Sequence, residues 1–246
     1  MNVHESIKMI SRKSLHEELV DRLRDLIVEG VLEPGSKFPE KALCLKYGVS
    51  RTPMREALKV LAGDGLIVLE PNRGAWVSQI TLAEMSEVFP VLSALEALAG
   101  ELACELITDA ELAEVRSLHE EMRRHYEHDN LKGYFRVNQA IHEAIISAAR
   151  NTTLAIQHRM LAVRARRARY VANISQERWQ QALCEHDEII LALEARDGAR
   201  LGLHLKQHMR KKFEAIRCRF EEMDSTSRTL PRALSAPSTR HVDRNR

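Results

Sequence analysis

At 246 residues, 44% of them hydrophobic, the chain is long enough for two buried cores at about 100–200 residues per domain. Its formal net charge of only +2 excludes a chain that binds polyanions through bulk charge, so any affinity for nucleic acid has to come from local clustering. No apolar run approaches the roughly 20 residues that span a bilayer, and Met1 to Ser6 lacks a signal-peptide core; Cys44, Cys104, Cys184 and Cys218 show no Cys-x-x-Cys spacing. These features predict a cytoplasmic protein with no membrane partner and with reduced, mostly buried thiols.

After a flexible N-terminus over 1–12, a first domain is expected over 13–80. Ser14-Leu15-His16-Glu17 is a capping box, and Leu15, Leu19, Leu23, Leu26 and Ile27 continue one apolar face up to Gly30. A short helix from Pro39 to Tyr47 offers Ala42, Leu43 and Leu45 to the same core, and Gly48 breaks it. The next helix starts near Arg51, with Ser50 as N-cap and Pro53 tolerated in the first turn. Met54, Ala57, Leu58 and Leu61 recur at i, i+3, i+4 and i+7 and form its buried stripe, while Arg51, Arg55 and Lys59 project together beside Thr52. Residues 36–59 carry Lys37, Lys41, Lys46, Arg51, Arg55 and Lys59 against only Glu40 and Glu56. Leu66 to Leu69 and Ala75 to Ser78 are β-prone runs joined by the turn-rich Glu70-Pro71-Asn72-Arg73-Gly74, which predicts a hairpin with Arg73 at its tip. Helix, tight turn, basic helix and hairpin in this order read as a winged helix-turn-helix that docks on DNA.

The second domain, 81–223, reads as all-helical, making the chain mainly α. Capping boxes at Thr81-Leu82-Ala83-Glu84 and Thr108-Asp109-Ala110-Glu111, a cap at Ser175, and breaks at Asn130, Asn151, Asn173 and Asp197-Gly198 predict an antiparallel six-helix bundle. Its helices lie near 82–106, 109–128, 131–149, 152–172, 176–195 and 198–222, and Pro90 either kinks the first or marks its beginning. Residues 224–246, rich in Ser, Thr and Pro with five Arg against two Asp, read as a disordered basic tail. Asn138 and His142 share a helix face, and His186 and His208 lie on the fifth and sixth helices, so three helices can converge on one point. Isolated histidines such as His158 and His204 read as surface or core-edge residues. Of the basic run Arg164, Arg166, Arg167 and Arg169, Arg164 or Arg167 turned inward would hold a carboxylate bidentately.

Two resemblances cover most of the chain. Gly30-Val31-Leu32-Glu33-Pro34-Gly35, Val49-Ser50-Arg51-Thr52-Pro53-Met54-Arg55-Glu56-Ala57-Leu58, then Leu61, Gly65-Leu66 and Arg73-Gly74-Ala75 closely resemble the DNA-binding domain of GntR-superfamily transcription regulators. That resemblance implies phosphate and base contacts by Lys41, Ser50, Arg51, Thr52 and Arg55, with the wing at Arg73 and Gly74 reaching the minor groove. The spacing of Asn138, His142, His186 and His208, with Glu185-His186 and Arg196-Asp197, resembles the ligand-binding FCD domain of one GntR branch, in its shorter, VanR-like subgroup. It implies that Asn138, His142, His186 and His208 ligate a divalent metal, with open positions for water or an effector carboxylate. Imidazole nitrogens suit zinc or nickel, and the neutral amide of Asn138 is a poorer donor than carboxylate. The expectation is a homodimeric repressor, not an enzyme, that binds an inverted-repeat operator in double-stranded DNA and is released by a small organic acid. The alternatives are a metal-dependent hydrolase, against which stands the lack of an obvious general base, and a regulator whose metal is itself the signal or purely structural.

Overall fold

The computed structural model describes residues 14–172 and 175–229, which form nine helices and a two-stranded sheet. The expected N-terminal segment, the break at Asn173 and the end of the tail lie outside the described residues.

Helix α1 (Leu15–Val28) opens on the predicted capping box: Glu17 N–H donates to Ser14 Oγ at 3.2 Å, and Ser14 N–H donates to Glu17 Oε2 at 2.8 Å. Its buried stripe starts one turn later than expected, at Leu19, because Leu15 projects into solvent. Helices α2 (Glu40–Tyr47) and α3 (Arg51–Gly63) are separated by Gly48 in the left-handed conformation, φ +64°. On α2 only Leu43 is fully buried, with Cys44 and Tyr47 packed beside it; Ala42 and Leu45 face solvent. Two turns present one narrow face, and the i, i+1, i+4 set is the one that reaches the core. Ser50 occupies the N-cap of α3, but its hydroxyl makes no capping bond. Strands β1 (Ile67–Glu70) and β2 (Gly74–Val77) pair antiparallel with Ile67 opposite Val77 and Glu70 opposite Gly74.

Leu23, Phe38, Met54, Leu58, Leu61, Leu66 and Val77 close the first core, which also takes in Val163 from the helical domain. Gly65 sits at φ +73°, and a Cβ there would lie 2.7 Å from the Arg164 guanidinium. Gly65→Ala is expected to cost about 1–2 kcal/mol from the left-handed backbone alone, with displacement of Arg164 added. Chemical denaturation against wild type checks this, and an unchanged midpoint would contradict it.

The second domain consists of α4 (Leu82–Leu106), α5 (Asp109–Glu127), α6 (Leu131–Ala148), α7 (Thr152–Ala172), α8 (Gln176–Glu194) and α9 (Gly198–Thr229). Helix α4 touches α6, α7, α8 and α9. Its Gly100 permits a close approach, since a Cβ there would lie 2.6 Å from Leu205 on α9. Pro90 neither starts nor ends α4; it lies inside a continuous helix capped by Thr81. The final helix runs to Thr229, past the expected boundary at 222, because no Gly or Pro intervenes and Arg219–Glu222 pairing at 2.6 Å supports its last turns. Of the four thiols only Cys104 is buried; Cys44 is half-buried and Cys184 and Cys218 are exposed, because both of the latter fall on outward faces of α8 and α9. Among the described residues no helix is long and apolar enough to cross a membrane.

Candidate functional site

Lys41, Ser50, Arg51, Thr52, Arg55 and Lys59 are all exposed on the helix-turn-helix, and Arg73 and Gly74 are exposed at the wing. The apolar stripe of α3 points the opposite way: Met54, Ala57, Leu58 and Leu61 are buried. Arg55 Nε lies 3.5 Å from Glu40, Lys59 Nζ lies 2.8 Å from Glu56 and Arg73 lies 2.8 Å from Glu70. Exposed pairs of this kind contribute about 0–1 kcal/mol, so phosphate can replace the carboxylate at little cost.

The helical domain brings the four spaced residues together. Asn138 and His142 come from α6, His186 from α8 and His208 from α9, and all are buried. The His142, His186 and His208 rings are 4.9–5.2 Å apart, with one nitrogen of each within 4.8 Å of the others. The Asn138 amide lies 2.7 Å from His186 Nε2. Two carboxylates that the sequence reading gave no role hold the outer nitrogens. Glu96 Oε2 is 2.8 Å from His142 Nδ1, and Glu185 Oε2 is 2.6 Å from His208 Nδ1. Glu185 is itself held by Arg178 at 3.0 Å and Lys211 at 3.4 Å. Such carboxylate–imidazole pairs fix ring orientation in metal sites.

Glu96 also receives His158 Nε2 at 3.2 Å, so His158 is a buried core residue. His119 of α5 stacks on His186 at 6.4 Å between centroids and reaches Asp187 at 3.2 Å. Glu96 carries a signal of its burial in the sequence: it interrupts the apolar face Met85, Val88, Leu92, Ala99, Ala103 of α4 at helical spacing. Half-buried His204, 3.9 Å from Glu188, stays outside the cluster.

Burial holds the pKa of His142 below its ordinary value despite the opposing Glu96, and burial with neighbouring His142 and Lys212 holds His186 and His208 well below theirs. Burial alone would raise the Glu96 pKa, but His142 and His158 carry it well below the usual carboxylate range. The cluster therefore presents neutral imidazoles beside an ionised carboxylate, the protonation states that metal binding needs. His142 Nε2, His186 Nδ1 and His208 Nε2 are buried with no hydrogen-bond partner among the described residues. Three imidazoles with one nitrogen each within 4.8 Å of the others fit a divalent cation, whereas buried nitrogens left without a partner are a cost.

A void of about 20 Å³ lies against His142, lined among others by Glu96, His158, Arg166 and Lys212. An open groove of about 500 Å³ between α6 and α7 shares Gln139, His158, Ala162 and Arg166 with that void. Neither Arg164 nor Arg167 lines the void as expected. Arg164 donates to the Asp64 carbonyl at 3.4 Å, and Arg167 donates to the Ser78 carbonyl at 2.5 Å. Helical spacing explains this: Ala162, Ala165 and Arg166 share the face toward the void, while Val163, Arg164 and Arg167 share the face toward the winged domain.

Residues 15–77 match the model for bacterial regulatory proteins of the gntR family, and residues 87–211 match the FCD domain. The HTH-type transcriptional repressor RspR of Escherichia coli (strain K12) is 26% identical over 203 residues, 82% of this chain and 89% of that protein. The gluconate operon transcriptional repressor of Bacillus licheniformis is 36% identical over 107 residues, 42% of this chain and 44% of that one. Among solved structures, E. coli McbR/YncC superposes with TM-score 0.78 at 23% identity, covering 85% of this chain and all of that one. A GntR-type regulator from Rhodococcus sp. RHA1 gives 0.70 at 23%, covering 82% and 97%. These two show the shared fold. The family matches are to transcription regulators and set the hydrolase reading aside.

Proposed function

We propose that this chain, which belongs to the GntR family of bacterial regulatory proteins, carries an FCD domain and is a DNA-binding transcription regulator, acts as a cytoplasmic homodimeric repressor released by a small organic acid. In this reading Lys41, Ser50, Arg51, Thr52 and Arg55 contact each operator half-site in the major groove, and Arg73 and Gly74 bring the wing to the minor groove. Asn138, His142, His186 and His208 would hold a divalent ion, zinc or nickel, and the ion when bound would supply a positive anchor for an effector carboxylate. A repressor role is supported by the names of two relatives, the HTH-type transcriptional repressor RspR and the gluconate operon transcriptional repressor.

The observation that carries the reading is the position of α7. One face of this helix lines the void and groove beside the histidines; the other is docked on the winged domain through Val163, Arg164 and Arg167. The void holds about one water, so an acid placed there has to sit partly in the α6–α7 groove and press on α7. A ligand that favours one α7 position shifts the winged domains by its differential affinity alone; coupling of about 1–3 kcal/mol changes operator affinity about 5–150-fold.

Dimerisation is supported by an outward apolar stripe on α4. Val91 and Leu98 are exposed with half-buried Leu95 and Leu102 between and after them, and Leu203 of α9 is also exposed. Association along that stripe would pair two winged domains by a two-fold axis, which an inverted repeat mirrors. Footprinting with sedimentation tests this: a dimer protecting two half-sites is expected, and a monomer protecting one would contradict it.

A further inference from the structure

The sequence of α9 places Lys212 one turn after His208, on the same face. The side chain is half-buried and packs with Nζ 3.6 Å from Met209 Sδ. It lines the void at His142 and also a second void of about 30 Å³ at Asn138 and His208, so it stands at both flanks of the histidine cluster. Its charge bears on Glu96, His142, His186 and His208 alike.

A lysine in this place is at odds with a site meant for a cation alone. Asn138 and three neutral imidazoles would leave the charge of a divalent ion undiminished, and Lys212 adds a like charge beside it. Two acids stand at the cluster among the described residues: Glu96, whose oxygens face His142 and His158, and Glu185, which faces His208 and is itself paired with Arg178 and Lys211, while Lys212 and Arg166 line the void at His142. A loaded site built this way carries excess positive charge in a poorly solvated pocket, which an incoming anion neutralises. The dimensions agree: the void admits one carboxylate oxygen, and the α6–α7 groove that shares four of its lining residues has space for a carbon body.

We propose that Lys212 is the carboxylate-binding residue of the effector site, taking an oxygen of an organic acid that enters between α6 and α7 and reaches the void at His142. The inference rests on the effector reading above and names the residue and the required charge of the ligand.

The test uses full-length protein, zinc-loaded and metal-free, titrated calorimetrically with acetate, malonate, citrate and uncharged malonamide in an otherwise carboxylate-free buffer. Wild type is expected to bind at least one of the acids and not malonamide. Lys212→Met should weaken that acid about tenfold or more, the usual scale for a charge-assisted hydrogen bond, and Lys212→Arg should retain it. Without acid, Lys212→Met should bind zinc as tightly as wild type or more tightly, because a repelling charge is gone; a misfolded bundle would bind it more weakly. Equal acid affinity in Lys212→Met and wild type, equal affinity for malonate and malonamide, or no acid binding in either metal state overturns the proposal. If wild type takes up no zinc, the metal reading fails by itself, and the metal-free titrations still decide the role of Lys212.

Discussion

Arg51→Ala is expected to weaken specific operator binding by about 1–3 kcal/mol and to relax sequence preference at one base pair of each half-site. The side chain opens α3, is exposed beside Thr52, and lies on the face opposite Met54, Ala57, Leu58 and Leu61. An arginine at the N-terminal end of a recognition helix can reach a guanine O6 and N7 with both arms of its guanidinium. A phosphate contact would weaken all sequences alike and lower the salt slope by about one. Fluorescence titration against the operator and a single-base variant separates the two roles. Unchanged affinity for both DNAs would remove Arg51 from the interface.

His208→Ala is expected to abolish stoichiometric metal binding while leaving operator affinity in the absence of ligand close to wild type. His208 is one of three buried imidazoles converging within 4.8 Å, and the winged domain has its own core. Glu185→Gln, which removes the carboxylate held 2.6 Å from His208 Nδ1, should cost about 10–100-fold in metal affinity. Asn138→Asp should tighten binding, because it adds negative charge to the oxygen donor. The opposite sign matters, since general damage to the bundle cannot strengthen a site. Metal analysis of tag-free protein reads all three variants. Wild-type affinity in His208→Ala, or weaker binding in Asn138→Asp, would mean the histidines serve the core.

Local signals in the sequence were sufficient for the elements, because capping boxes, the Gly48 break and i, i+3, i+4 stripes act over a few residues. The α3 stripe and the six helices of the second domain lie where those signals placed them, except that α9 continues past 222 to Thr229. Errors came where tertiary packing decides. Ala42 and Leu45 are apolar yet exposed, because α2 buries a single narrow face. The convergence of His142, His186 and His208 was legible from spacing and resemblance, whereas the partners Glu96, Glu185 and His158 were not assigned. A carboxylate on an apolar helix face signals burial, but its partner lies 46 or 62 residues away and only the packing of α4 against α6 and α7 supplies it. Likewise the alternation of the α7 arginines was visible, but which face meets the winged domain depends on the docking of two separately folded units.

Operator binding by full-length protein at one fixed salt concentration, with zinc and an acid shown by calorimetry to bind, tests the central claim that the helical domain controls DNA affinity. The account predicts that the bound acid lowers operator affinity within the 5–150-fold range expected for about 1–3 kcal/mol of coupling, and that operator DNA weakens acid binding by the same factor. Operator affinity that stays the same while the acid saturates the protein would contradict it.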